Sequence, residues 1–161
     1  MAKADVQVIA QSLLGSDLLE EDCEVLSKVV KHRKLAQNEI LFDADTVDGS
    51  LYILVNGKLD ILKVVGPDKE LSINALKPGS MIGELSFIDG VAHTMRLRAR
   101  TDSEVLVLHR DDFEALAESN NRVVFNVMKS ILRYSHTLQR KMLQENIEMQ
   151  RMVLNEYTSQ Y

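Results

Sequence analysis

From Arg122 to the end of the chain there is neither a glycine nor a proline. A breaker-free run of that length predicts one helix far longer than an ordinary globular helix. It constrains the fold because such a helix cannot bury an apolar stripe against its own small domain alone. Val124, Met128, Ile131, Ser135, Leu138, Met142, Met149 and Met152 approximate a heptad seam, weakened at Ser135 and skipped at Glu145. A second apolar line through Leu143, Ile147 and Leu154 widens it. Lys141 and Glu145 can pair at i, i+4, in the weaker of the two orders. The seam suits a parallel two-chain coiled coil, which makes the chain a homodimer with Val124, Met128, Ile131, Ser135, Leu138 and Met142 at the interface. A helix folded back over the sheet, or a frayed tail, is the alternative. The methionine-rich seam is soft enough to accept a different protein as well. As a stripe at helical spacing it reads as packing, not as a metal or cofactor box.

Upstream, the chain is organised as helix, then sheet, then helix. Residues 5–14 alternate like a short amphipathic helix that stops at Gly15. After Ser16-Asp17, a second helix carries Leu19, Cys23, Leu26 and Val30 at helical spacing. Glu20, Glu21 and Asp22 in its first turn and Lys28 and Lys31 in its last suit the helix dipole. From residue 38 short strands with turn signals take over. NEILF precedes a polar DADTVDGS. LYILVN and KLDILKV meet at Asn56-Gly57, a pair that predicts a β-hairpin with positive φ at both central residues. Gly66-Pro67-Asp68 and Pro78-Gly79 mark two more turns. In MRLRAR, Met95, Leu97 and Ala99 face inward and three arginines outward. EVLVLH is apolar on both faces, as in a sheet covered on both sides. This density of short strands argues for a sandwich or barrel-like jelly roll. A short helix runs from Asp111-Asp112 to about Glu118, and Ser119-Asn120-Asn121 cap the long one. The fold class is α+β: a β jelly roll with N-terminal helices and a long C-terminal helix. The domains are 1–118, the jelly roll with its helices, and 119–161, the dimerisation helix.

Composition excludes several classes. A formal charge of −5 argues against a general nucleic-acid binder, which carries a basic surface. Cys23 is the only cysteine, so an intrachain disulfide is impossible and a reducing, cytoplasmic location is expected. No apolar run is long enough for a membrane span. His32, His93, His109 and His136 lack metal-ligand spacing, and one cysteine cannot make a structural zinc site. Neither a metal nor a cofactor is expected.

The segment GELSFIDGVAHT, Gly83 to Thr94, opens on a small residue and an acid and closes on a histidine. With LYILVNGKLDILKV, LKPGSMIGELSFIDG and RLRARTDSEVLVLHRDDFEAL, it resembles the cyclic-nucleotide-binding domain of the bacterial cyclic AMP receptor protein and of the protein kinase A regulatory subunit. The resemblance covers roughly residues 10 to 140. Leu51-Tyr52, Gly57, Gly79, Gly83-Glu84-Leu85, Gly90 and Ala99 fall where the family places them. It implies an eight-stranded jelly roll and a ligand such as cyclic AMP, cyclic GMP or a cyclic dinucleotide. Gly83, Glu84, Leu85 and Ser86 then form a helical turn whose amides face the cyclic phosphate, with Glu84 accepting from the ribose hydroxyl. The family's phosphate-clamping arginine and the small residue after it are replaced here by His93 and Thr94, and the preceding proline by Ala92. Arginine offers phosphate a permanent charge and a two-pronged donor fork; neutral histidine offers one donor. Binding through a protonated His93 would weaken as pH rises. Arg96 or Arg98 reaching inward is a second rescue, which their alternation opposes. Leu138 and Gln139 match the region that contacts the base. Transcription factors of the family continue into a helix-turn-helix domain. This chain stops at Tyr161, so no direct DNA binding is expected and output passes to a partner protein.

Two functions follow. One is a non-enzymatic regulatory module that binds a cyclic nucleotide and signals through the dimeric helix. The other is a degenerate module that has lost the ligand and acts as an interaction or scaffold protein. Catalysis is not expected, because no nucleophile or metal set accompanies Glu84 and His93.

Overall fold

The structure, a computed structural model, describes residues 1–158. In chain order its elements are β1 (Ala2–Lys3), α1 (Val6–Gln11), a 3₁₀ turn (Leu13–Gly15), α2 (Glu20–Ser27), β2 (Lys31–Leu35), β3 (Ile40–Phe42), β4 (Ser50–Asn56), β5 (Leu59–Gly66), β6 (Lys69–Leu76), β7 (Met81–Ile82), α3 (Glu84–Asp89), β8 (Arg96–Ala99), β9 (Ser103–His109), α4 (Arg110–Leu116) and α5 (Asn121–Thr158). Two antiparallel sheets stack, in the orders β1-β2-β9-β4-β7 and β3-β8-β5-β6. This is the jelly roll expected, with helices at both ends of the chain.

The alternation of the central strands divides the core in two. Tyr52 and Leu54 on β4, with Val105 and Val107 on β9, meet Leu59, Leu97 and Ala99 between the sheets. Leu51, Ile53, Leu106 and Leu108 point the other way, into a second cluster with Ile9, Leu14, Cys23, Leu26 and Phe113 from the helices. EVLVLH is apolar on both faces for that reason.

Three local expectations are corrected. The Asn56-Gly57 turn does not close a hairpin. β4 belongs to the five-stranded sheet and pairs with β9 and β7, while β5 crosses to the other sheet and pairs with β6 and β8. Asn56 does not take the positive φ that a type I′ turn requires, whereas Gly57 does, at φ +87°. The turn instead packs on the β8–β9 connection. A Cβ at Gly57 would lie 2.3 Å from Ser103 Oγ, and the Lys58 amide donates to that oxygen at 3.2 Å. The tight hairpin lies one connection later, where Gly66 pairs with Lys69 across Pro67-Asp68. Second, α2 ends at Ser27, so Val30 and Lys31 lie beyond it; Leu19 is its exposed N-cap. Third, Lys31–Leu35 is a strand that the apolar pattern did not predict. Its side chains are polar except Leu35, and backbone pairing to β9 and to the short β1 holds it in the sheet.

α5 is one continuous helix of 38 residues, and it has two halves of different character. Val123, Val127 and Ile131 are buried in the helix-side core. Charges seal this docked half. Arg122 pairs with Glu21 at 2.6 Å and Asp22 at 2.7 Å, and Arg133 pairs with Asp17 at 2.6 Å. The division expected at 118/119 is therefore not a packing boundary. Every described residue from His136 to Asn155 is exposed.

Burial pushes the Asp17 carboxyl up, but hydrogen bonds from Arg133 and Ser130 and the charges of Arg133 and Lys129 hold it below its ordinary value. A depressed folded pKa contributes stability above the unfolded value that is lost as pH falls through the folded one. Asp17→Asn is thus expected to lower the melting temperature at neutral pH. The gap to the wild type closes below the ordinary aspartate range, where the carboxyl is itself protonated. Thermal unfolding of both proteins across that range is the check, and a gap independent of pH would refute the ion pair as its cause.

Candidate functional site

Gly83 follows β7 in the left-handed region, φ +84°, and caps α3 without a side chain. A Cβ there would lie 2.7 Å from the Ser50 carbonyl oxygen and 3.6 Å from His93 Cε1. The glycine lets the chain turn sharply against β4, and the first-turn amides of α3 have no side-chain cap. Gly90 ends the helix in the same left-handed region, φ +68°, its amide donating to the Ser86 carbonyl at 3.1 Å. Phe87 anchors the short helix in the core, 5.5 Å from Phe113 between ring centroids.

A cavity of about 350 Å³ opens beside this turn. Gly83, Glu84, Leu85, Ser86, Ala92, His93, Thr94 and Met95 form one wall; Phe42, Ile61, Leu76 and Leu97 come from the strands, and Tyr134 and Leu138 from α5. The structure therefore brings together seven of the eight residues expected at the ligand site. The exception is Gln139, which sits with His136, Arg140 and Leu143 on the open surface of α5. Ser86 is largely committed to the fold. It is buried, and its hydroxyl oxygen accepts from the Gly49 amide at 3.2 Å and the Asp48 amide at 3.4 Å.

His93 is equally committed. It is 7% exposed, and its ring stacks on Phe42 at 3.7 Å with the planes 13° apart. Its backbone is tied to the β3–β4 connection through Thr46 and Asp45. Its Nε2 is buried 3.1 Å from Asp48 Oδ1, close enough for charge to act but without an aligned hydrogen bond. Asp48 Oδ2 accepts from the Tyr52 hydroxyl at 2.6 Å, and Oδ1 from the Ser50 amide at 3.0 Å. Burial, then the Asp48 hydrogen bond and charge, push the Tyr52 phenol well above its ordinary value. Tyr52 therefore stays a neutral donor.

Neither arginine of β8 rescues the missing clamp. Arg96 pairs with Asp43 at 2.7 Å and with Glu70, and Arg98 pairs with Glu70 at 2.8 Å. The Arg96 hydrogen bond first, and then the charge and hydrogen bond of Arg98 and the Arg96 charge, hold the Glu70 carboxyl below its ordinary value against desolvation. Among the described residues, no lysine or arginine lines the cavity. Among the described residues, no group of three or more His, Cys, Asp or Glu side chains is placed to hold a metal ion. No described helix is long and apolar enough to cross a membrane.

Asp48, Phe42 and Tyr134 were not singled out in the sequence. Asp48 is one carboxylate among several in a polar loop. Tyr134 did carry a signal, lying four residues before Leu138 and so on the same helix face.

On the expected interface, Ile131 is buried in the domain's own core and Val124 packs against it. Met128, Leu138 and Met142 are exposed, and the Ser135 hydroxyl donates to the Ile131 carbonyl. The exposed apolar line begins instead at Phe125, 68% exposed, and passes through Met128 and Leu132.

A jelly roll with a glycine-opened helical turn set into a cavity, closed on one side by a long helix, is a recognisable class of domain. The sequence profile described as "Cyclic nucleotide-binding domain" matches residues 32–120, and the chain belongs to that family. It is 26% identical over 128 residues to an Anaerobic regulatory protein of Bacillus subtilis, covering 78% of this chain and 54% of the relative. It is 25% identical over 122 residues to a Cyclic AMP receptor protein of Thermus thermophilus, covering 76% and 56%. The chain thus spans about half the length of the curated relatives it matches. A solved cyclic nucleotide-binding domain from Methylobacillus flagellatus superposes with a TM-score of 0.76 at 18% identity, covering 87% of this chain and 81% of that one. That likeness is one of fold.

Proposed function

We propose that the chain is a non-enzymatic regulatory sensor module in which a small ligand in the cavity is read by α5. The observation that carries this reading is the shared wall: the cassette from Gly83 to Met95 and the helix residues Tyr134 and Leu138 enclose one space. A ligand that fills it contacts both, so occupancy biases how α5 sits. Two relatives named as regulatory or receptor proteins support it. Output passes from α5 to a second copy and on to a partner protein. Phe125, Met128, Leu132, Ser135, Gln139, Met142, Asn146, Met149 and Val153 keep an unbroken three-four spacing, which suits a two-chain seam. This seam replaces Val124 and Ile131, which the domain itself covers.

Cyclic AMP, cyclic GMP and a cyclic dinucleotide enter the proposal as the ligands that family membership brings forward. The cavity offers their phosphate amides but no permanent cation. A missing charge-assisted hydrogen bond of ~1.5–3 kcal/mol weakens binding by roughly ten- to a hundredfold. Calorimetry of the chain with cyclic AMP, cyclic GMP and cyclic di-GMP is expected to give weak, saturable heats at best. Absence of both heat and thermal stabilisation with all three would remove cyclic nucleotides from the proposal. The second reading, an interaction module without ligand, is favoured by one observation: His93 Nε2 faces Asp48, inside the protein.

A further inference from the structure

Among the described residues that line the cavity, Glu84 is the one carboxyl side chain, and none is a lysine or arginine. Among the described residues it has no ion-pair partner. His93, the one imidazole among the described lining residues, turns its buried Nε2 to the Asp48 carboxylate and not to the cavity. Arg96 and Arg98 are held on the outer face by Asp43 and Glu70. An anion entering this space meets the Glu84 carboxyl, with only neutral amides and hydroxyls to oppose their repulsion. Phe42, Ile61, Leu76, Ile82, Met95 and Leu138 present apolar surface, and apolar enclosure with a few convergent polar groups is the usual make-up of a small-molecule site.

Resting on the sensor reading, we propose that the preferred occupant is a predominantly apolar molecule that carries a hydroxyl or amino donor and no phosphate or other anionic group. Glu84 accepts from the donor, and the ring or chain of the ligand packs between Phe42 and Leu138. The ligand reports its presence by filling the space beside α5, not by drawing the cassette onto a charge.

The test uses two fluorophores on one scaffold, with the full chain. N-phenyl-1-naphthylamine is neutral and carries an N–H donor; 8-anilinonaphthalene-1-sulfonate adds an anionic group. Titration is expected to show saturable binding of the neutral dye, with the sulfonate weaker by at least about tenfold. Asn74→Trp, at an exposed lining position on β6, and Met95→Trp on the cassette side each fill the cavity and are expected to weaken the neutral dye by a similar factor. Thermal unfolding confirms that each variant is folded, and either one suffices. The ligand class falls if the sulfonate binds as tightly as the neutral dye. It falls too if folded Asn74→Trp and Met95→Trp bind the neutral dye as wild type does, which would place the dye elsewhere. If cyclic AMP binds and the neutral dye does not, the ligand class falls and the sensor reading stands. If neither dye nor any cyclic nucleotide binds, both fall.

Discussion

Replacing His93 with arginine and Asp48 with asparagine together raises the affinity for cyclic AMP by roughly ten- to a hundredfold over the wild-type chain. Calorimetry of the two proteins side by side is the measurement. The pair is needed because His93 Nε2 lies 3.1 Å from Asp48 Oδ1. An arginine introduced alone inherits that carboxylate and forms a bidentate pair with it, so its fork is turned from the cavity. Removing the negative charge frees the guanidinium for an anion, while the asparagine oxygen still accepts from the Ser50 amide, as Asp48 Oδ1 does, and its NH2 donates to the Tyr52 hydroxyl oxygen, which now donates to Asp48 Oδ2. His93→Arg alone is accordingly expected to gain much less than the pair. The front half of the cassette needs no change, because Gly83 already permits the turn and the first-turn amides of α3 are uncapped. A folded double variant with no gain would mean that the cavity excludes phosphate on other grounds, and Thr94 and Met95, which line it, become the suspects.

The features legible in the sequence were those that local chemistry decides. The two-sided apolar run of β9, the alternation of β8 and the breaker-free length of α5 each follow from spacing, and each is found. The cassette was legible because glycines at 83 and 90 bracket a six-residue helix, and its resemblance to a family pointed to residues that the fold gathers on one cavity wall. Decisions between distant elements were not legible. Asn56-Gly57 has the composition of a hairpin, yet β4 finds better partners in β7 and β9, and only the sandwich as a whole sets that preference. Lys31–Leu35 has almost no apolar pattern, because a strand near the sheet's edge is held by backbone pairing. Asp48 could not be matched to His93 across 45 residues, since nothing in DADTVDGS distinguishes one carboxylate from the next. The heptad reading of α5 had the right period and a partly wrong face: Ile131 fits a coiled-coil seam as well as it fits the domain core, and the core takes it.

That competition gives the other large effect. A chain ended after Ser119 is expected not to fold cooperatively, while one ended after His136 folds as a monomer. The first cut removes Val123, Val127 and Ile131, all at 2% exposure or less. At ~1.5–3 kcal/mol for each buried aliphatic side chain, the loss is about 5–9 kcal/mol. That is comparable to the entire stability of an ordinary domain, and it leaves Leu26 and Phe113 facing water. The second cut keeps those contacts and the Arg122 and Arg133 ion pairs, and removes only exposed helix. The removed part, about 30 Å long at 1.5 Å per residue over the described positions, carries Met142 and Met149 with two thirds of each in solvent. Most of a helix's stability in a protein comes from packing its apolar face, so the exposed seam calls for a partner, and a second copy is the partner proposed. Light scattering is expected to report a dimer for the full chain and a monomer for the shorter one. Leu132→Glu, on the exposed face of the docked half, is expected to weaken the dimer while leaving the melting of the monomeric chain ended after His136 nearly unchanged. A dimer that survives the cut after His136 would confine the interface to the sandwich or to the seam residues of the docked half, and a folded chain ended after Ser119 would overturn the assignment of Val123, Val127 and Ile131 to the domain core.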